Sequence, residues 1–227
     1  MTKTNQCAAP NAEIWRALNR REMEAATVGF LHEGRRCQST IRVLELGGQR
    51  AVAKDYALTP PFFRHFVAPF LLSREARALR FLAGTRGVPQ VFARVDRQAL
   101  VLELIEGQPF NRFQIGELPP EVFVRLQETI DAIHARGVSH GDLKRRTNVL
   151  VTPEHQIFII DFAASLIGRR RFRPLLNWLQ RQLAEVDDKC VPRFKTTAAP
   201  HLLTPDEQQK LDTPTVLERF ARRWLKR

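Results

Sequence analysis

The chain reads as an α+β protein, with a small antiparallel β-sheet and one main helix in its first half and a mostly helical second half. Three observations predict this. Apolar strand patterns flanking tight turns occur between residues 41 and 54 and again between 91 and 105. Helical spacing of apolar residues governs 73–82 and 119–137. The last strand of the first half breaks at Glu106-Gly107, and most of the chain beyond it carries a helical period. A chain of 227 residues can bury a real core, as one domain or as two small lobes.

From the N-terminus, residues 11–25 fit a helix with Asn11 as N-cap and Ile14, Trp15 and Leu18 on one face. Val28-Gly-Phe-Leu-His-Glu-Gly34 fits a strand and turn, and 41–46 and 51–54 fit two strands joined at Gly47-Gly48. Residues 60–72 then carry four phenylalanines with Arg64 and His65 among them. Two readings are open there: a helix of the interior, or an amphipathic segment that presses aromatic rings into a headgroup layer. Residues 73–82 form a helix capped by Ser73, with Ala76, Leu79 and Leu82 at helical spacing and Glu75 as the only acid.

The second half begins after the strand pair 91–95 and 99–105. Pro119-Pro-Glu121 starts a long helix whose stripe is Val122, Leu126, Ile130 and Ile133, closed by Gly137 as the C′ residue. Residues 148–151 and 156–160 are short buried strands. Beyond them come a basic run, Arg169-Arg-Arg-Phe-Arg173, and an apolar helix with Leu175, Leu176, Trp178, Leu179 and Leu183. Thr204-Pro-Asp-Glu207 caps a further helix, and a basic C-terminal helix contains Phe220, Trp224 and Leu225.

Composition narrows the partners without choosing one. The formal net charge of +12, with Arg well in excess of Lys, suits nucleic acid, an anionic membrane surface or an acidic substrate. No RNA- or DNA-binding motif accompanies it, so nucleic acid is not favoured. Cys7, Cys37 and Cys190 have neither disulfide-framework nor zinc spacing, which fits a reducing compartment. There is no N-terminal apolar run after a basic start and no stretch of ~20 apolar residues. The expectation is a cytoplasmic protein, with peripheral attachment at the inner face of the cytoplasmic membrane as a variant.

The chemistry is concentrated in His140-Gly-Asp-Leu-Lys-Arg-Arg-Thr-Asn-Val-Leu-Val151 and Ile159-Ile-Asp-Phe162. One short loop carries a carboxylate, a lysine and an amide, and the next apolar strand ends in a second carboxylate. A phosphoryl group in transfer spreads negative charge over its oxygens, so its site needs metal ligands, a fixed cation and a proton acceptor. Asp142 would face an acceptor hydroxyl, Lys144 the moving phosphate, and Asn148 with Asp161 a metal.

This pattern resembles the protein-kinase-like fold, in which an H-x-D loop ending in Asn precedes a D-F-G strand end. It departs twice: five residues, not four, separate Asp142 from Asn148, and Ala163 stands where glycine is usual. Both departures look like the bacterial RIO-like and lipopolysaccharide-kinase-like group of small kinases. The resemblance covers about residues 28–165. It implies a two-lobed molecule with an N-terminal helical extension (1–25), an N-lobe (26–107) and a reduced C-lobe (108–227) that lacks a long activation segment.

The resemblance also implies ATP and Mg2+ as cofactors and assigns further residues. In Val52-Ala53-Lys54, Lys54 would grip the nucleotide α and β phosphates, with Glu75 as its ion-pair partner. The Glu103 carbonyl and Ile105 amide would meet adenine, with Leu102 behind the base. The hairpin bearing Gly29 and Gly34 would lie over the nucleotide, although it is not G-x-G-x-x-G. His140 would be structural. The acceptor would be a hydroxyl, on a protein Ser/Thr or on a lipid-linked sugar such as a lipopolysaccharide core residue. A catalytically weak pseudokinase, acting as a nucleotide-sensing or scaffold module, is the alternative.

Overall fold

The computed structural model describes residues 12–168 and 174–219. Asn11, Cys7, the run 169–173 and the aromatic residues 220–225 lie outside them. The chain forms two compact units. One comprises the residues up to Ala76 with Pro89–Leu104, and the other comprises Arg77–Val88 with Ile105 onward.

The first unit is built on a five-stranded antiparallel sheet of β1 (Thr27–His32), β2 (Thr40–Leu46), β3 (Gln49–Asp55), β4 (Val91–Arg94) and β5 (Ala99–Glu103). The spatial order is β1-β2-β3-β5-β4. Gly47 and Gly48, at φ 55° and 73°, close the β2–β3 hairpin in the left-handed conformation that a two-residue turn demands. The expected N-terminal helix is instead two: α1 (Glu13–Arg16) and α2 (Arg20–Ala25). The break comes at Asn19, whose side chain caps α2 reciprocally with Glu22 and so competes with helix continuation. Both helices seal one face of the sheet. Trp15, Leu18 and Met23 pack with Leu44, Ala51, Phe92 and Val101, and the Trp15 indole stacks on Phe92 at 6.3 Å.

The phenylalanine-rich segment is helical and continues directly into α3 (Ala68–Phe81) through a π turn at Phe63–Val67. Ser73 is therefore not a cap; it lies mid-helix with its hydroxyl donating to the Pro69 carbonyl. Nor is the segment interior throughout, since Phe62, Phe66 and Phe70 face outward.

In the second unit, α4 (Pro120–Ala135) buries the predicted stripe Val122, Leu126, Ile130 and Ile133. It stops at Gly137, φ 77°. Around it lie two small sheets. One pairs β6 (Gln108–Pro109) with β8 (Val149–Val151) and β9 (Ile157–Ile159), and the other pairs β7 (Val138–Ser139) with β10 (Leu166–Ile167). Arg77–Val88 belongs to this unit because the Gly87 carbonyl accepts from the Ile159 N–H (2.8 Å). A side chain at Gly87 would collide with the Ile157 carbonyl. Phe110 packs on Phe123 and Phe194. Helices α5 (Pro174–Asp187), α6 (Cys190–Ala198) and α7 (Pro205–Asp212) complete it, and α7 carries the predicted Thr204/Glu207 capping box.

Helix α5 reverses the expected burial. Leu175 and Trp178 are exposed, whereas Gln180, Gln182 and Asp187 are buried. The reason is what α5 covers. Gln180 fills the space beside Gly168, and Asp187 meets backbone N–H groups that would otherwise be buried without acceptors.

Candidate active site

The loop after β7 is held from three directions. First, the buried Asp187 carboxylate accepts from the His140 N–H (2.6 Å) and the Gly141 N–H (3.0 Å). Second, the His140 ring bridges the loop internally. Its Nδ1 accepts from the Asp142 N–H (3.3 Å), so Nε2 carries the hydrogen and donates to the Ile160 carbonyl (2.9 Å). Burial holds the His140 pKa below the usual imidazole value, against the pull of nearby carboxylates, which keeps that neutral tautomer. Third, Asn148 Nδ2 reaches back to the Asp142 carbonyl (3.1 Å). Leu143 plugs into the core beneath.

Gly141 is required. It sits at φ 79°, and a Cβ there would lie 3.0 Å from the Ala164 carbonyl oxygen. A single 3-10 turn, Arg146–Asn148, brings the amide to the foot of β8.

The β8–β9 register then sets the second carboxylate. Val149 pairs with Ile159, and the Ile160 N–H donates to the Asn148 carbonyl (2.9 Å). Asn148 and Asp161 thus emerge at the same end of one hairpin. Asp161 adopts the left-handed conformation, φ 65°, ψ 65°. Held strain of this kind costs about 1–3 kcal/mol and clusters at functional sites. Ala163, by contrast, lies in a right-handed 3-10 turn, Phe162–Ala164, and takes no positive φ. At this position the chain has no conformational need for glycine.

The donor set fits magnesium. With Asn148 Nδ2 engaged by a carbonyl, its amide oxygen would be the atom left for a metal and Asp161 would supply a carboxylate; both are hard oxygen donors. No group of three or more His, Cys, Asp or Glu side chains placed to hold a metal ion occurs among the described residues. Two ligands with water and phosphate oxygens are how Mg2+ is usually held. Asp142 makes an ion pair with Arg145 (3.0 Å), and Lys144 is exposed.

In the first unit, Lys54 on β3 meets Glu75 on α3, Nζ to Oε2 at 2.8 Å, and both residues are buried. Here the expected ion pair forms. The neighbouring Asp55, also buried, is satisfied by Arg20 and Arg42. Glu103 closes β5, with its N–H donating to the Gln90 carbonyl and its side chain accepting from the Gln90 N–H. Burial raises its pKa, with that hydrogen bond opposing. The Ile105 carbonyl accepts from the Gly107 N–H. In the β1–β2 connection, Gly34 is sterically required, since a Cβ would clash with the Gln38 carbonyl, whereas Gly29 has open space around it.

Asp187 escaped the sequence reading. It lies 47 residues from His140, on a helix read as apolar. The acid pair Asp187-Asp188 interrupting a leucine pattern was the only signal. The same carboxylates flank His134, with Asp188 at 3.3 Å and Asp187 at 3.6 Å. Burial opposes the imidazolium charge, but the two acids outweigh it and raise the His134 pKa to about 9.

No family model matches the chain. Among curated proteins it is 30% identical over 115 residues to a probable SapB synthase of Streptomyces coelicolor, spanning 41% of this chain and 12% of that protein. It is 32% identical over 107 residues to CBL-interacting serine/threonine-protein kinase 15 of Arabidopsis thaliana, spanning 44% of this chain and 25% of that one. The chain thus spans a quarter or less of the length of these relatives.

Among solved structures, Rio2 kinase of Chaetomium thermophilum superposes with a TM-score of 0.58 at 17% identity, covering 81% of this chain and 62% of that one, in its ADP/Mg2+-phosphoaspartate complex. Another Rio2 structure from the same organism gives a TM-score of 0.58 at 16% identity, covering 81% and 63%. No helix among the described residues is long and apolar enough to cross a membrane. The five-stranded sheet, the buried lysine–glutamate pair and the braced Asp-to-Asn loop accord with these likenesses: the chain has a protein-kinase-like fold.

Proposed function

We propose that the protein is an ATP-dependent phosphotransferase that moves the γ-phosphate to a hydroxyl acceptor. The observation that carries this reading is the loop of the second unit. Its backbone is braced at His140, Gly141, Asp142 and Asn148, which supports a loop that presents one carboxylate and one amide in a fixed frame. Asp142 accepts the acceptor's proton, Lys144 stabilises charge on the moving phosphate, and Asn148 with Asp161 holds Mg2+. Bound Mg-ATP supplies the activated phosphoryl group. Lys54, aimed by Glu75, engages the nucleotide phosphates. The Glu103 carbonyl and Ile105 amide meet adenine, and the β1–β2 hairpin lies over the nucleotide.

A protein Ser/Thr acceptor is supported by the name of the Arabidopsis relative, a serine/threonine-protein kinase. A sequence without an Ala-Pro-Glu anchor leans towards a small or lipid-linked acceptor, or towards a RIO-like protein substrate. One observation favours the pseudokinase reading: Arg145 pairs with Oδ2 of the Asp142 carboxylate (3.0 Å), which competes with its service as a proton acceptor.

The test is transfer from γ-labelled ATP with Mg2+ to protein and lipid fractions of cell extract, analysed separately. Labelling that Asp142→Asn abolishes, with the thermal unfolding midpoint unchanged, supports the phosphotransferase. ATP binding without labelling of any fraction supports the pseudokinase.

A further inference from the structure

The helical segment leading into α3 carries a row of aromatic rings that the fold leaves uncovered. Phe62, Phe66 and Phe70 are 72%, 69% and 60% exposed, and Leu58 just before them is 76% exposed. They recur every fourth residue. A π turn spans Phe63–Val67, and the Phe62 and Phe66 rings neighbour each other with centroids 5.4 Å apart. Clustered exposed rings on a helix mark a binding surface, whereas scattered ones would need no explanation.

The segment cannot bury these rings by turning over, because its other face is fixed to the first unit. Phe63 packs on Tyr56, Ala68 and Leu72 are buried, and Arg64 donates to the Ala57 carbonyl (2.8 Å). Arg94 ties down the next turn through the Ser73 hydroxyl (2.8 Å) and the Pro69 carbonyl (3.3 Å).

The charge along this segment has one sign. From residue 58 to residue 74 the ionisable side chains are Arg64, His65 and Arg74, with no acid. The first acid, Glu75, is buried against Lys54. The Arg74 guanidinium lies over the Phe70 ring at 5.6 Å, a cation beside an aromatic surface. We propose that Phe62, Phe66 and Phe70, flanked by His65 and Arg74, dock the protein on the headgroup layer of an anionic bilayer. Rings that enter the acyl boundary with cations at phosphate level are the arrangement an interfacial helix uses. The net charge of +12 adds long-range attraction to such a surface. A second copy of the chain is a poorer occupant, since a two-fold contact would bring the same cations face to face. The proposal is independent of the phosphotransferase reading.

Flotation of the full chain with vesicles of phosphatidylcholine, alone or with 30 mole per cent phosphatidylglycerol, at near-physiological salt tests it. The expected result is retention on the anionic vesicles only. The triple variant Phe62→Ser/Phe66→Ser/Phe70→Ser should weaken it by on the order of 100-fold or more, from the lost apolar burial. Thermal unfolding checks that the variant folds. If it does not, single Phe66→Ser, which should weaken retention by about tenfold, stands in for it. Changing all three to Leu should restore most of the binding. Failure of the wild-type protein to float overturns the proposal. So does undiminished retention of the folded Ser variants, which would mean adsorption by charge alone. Light scattering that shows a wild-type dimer dissolved by the Ser changes would assign the face to a second copy and overturn it as well.

Discussion

The two units fix their functional side chains by opposite means. In the first, Lys54 and Glu75 sit on a regular strand and a regular helix, joined by a buried ion pair. In the second, Asp142, Asn148 and Asp161 sit on irregular backbone, and almost every hydrogen bond that shapes it ends on main-chain atoms. A lone lysine on a strand needs a partner charge to be held in a dry site. A loop needs its own N–H and C=O groups satisfied before any side chain on it can be positioned. The comparison predicts that the loop is the more fragile of the two and depends on a residue that touches no substrate.

That residue is Asp187. Asp187→Ala should cost about 3–5 kcal/mol, because it strands the buried His140 N–H and the part-buried Gly141 N–H and leaves the His134 imidazolium with Asp188 alone. Urea unfolding measures this. A loss below about 1 kcal/mol would mean the loop holds itself.

Glu75→Ala should cost somewhat less, about 3–4 kcal/mol, by leaving the Lys54 ammonium buried without its carboxylate. The double change Lys54→Met/Glu75→Leu should recover most of that stability while weakening nucleotide engagement. That result would separate a stability role from a functional one.

Next comes pH. His134 is raised from 6.5 to about 9, so its contribution is complete below pH ~6.5 and drains away as pH rises through 9, about 3 kcal/mol in all. His140 runs the other way. Its pKa is lowered by burial, so its contribution holds above pH ~6.5 and falls as the solution becomes acidic. Denaturant midpoints from pH 5 to 10 should peak near pH 6.5 and decline on the alkaline side up to about pH 9, and His134→Gln should remove that alkaline decline.

The smallest effect tests the substituted glycine. Ala163→Gly should destabilise by roughly 0.5–1 kcal/mol and leave nucleotide binding unchanged, since residue 163 occupies an ordinary right-handed turn.

Much of this was legible in the sequence, and the unread part has physical causes. The Asp-to-Asn loop and the strand-end acid could be read because side-chain chemistry and spacing are local. Glu75 could be read because α3 offers one acid. Asp187 could not, because its partners are backbone amides 46 and 47 residues away, which leave no side-chain signature. The break between α1 and α2 was missed because the Asn19–Glu22 capping box lies inside a pattern that reads as one helix. In α5 the leucines suggested an apolar face, yet the loop it covers needed polar contacts more. The residues 60–72 could not show which rings would stay uncovered, because burial is decided by what else packs there.

The central claim is that Asp161 and Asn148 hold magnesium with a nucleotide while Asp142 serves the acceptor. The most direct test is the shift of the unfolding midpoint on adding ATP, with and without Mg2+, in wild-type protein, Asp161→Asn and Asp142→Asn. The account predicts a stabilisation that needs Mg2+, is lost in Asp161→Asn and survives in Asp142→Asn. A wild-type protein that ATP leaves unshifted, or a shift indifferent to Mg2+ and to Asp161→Asn, would contradict it.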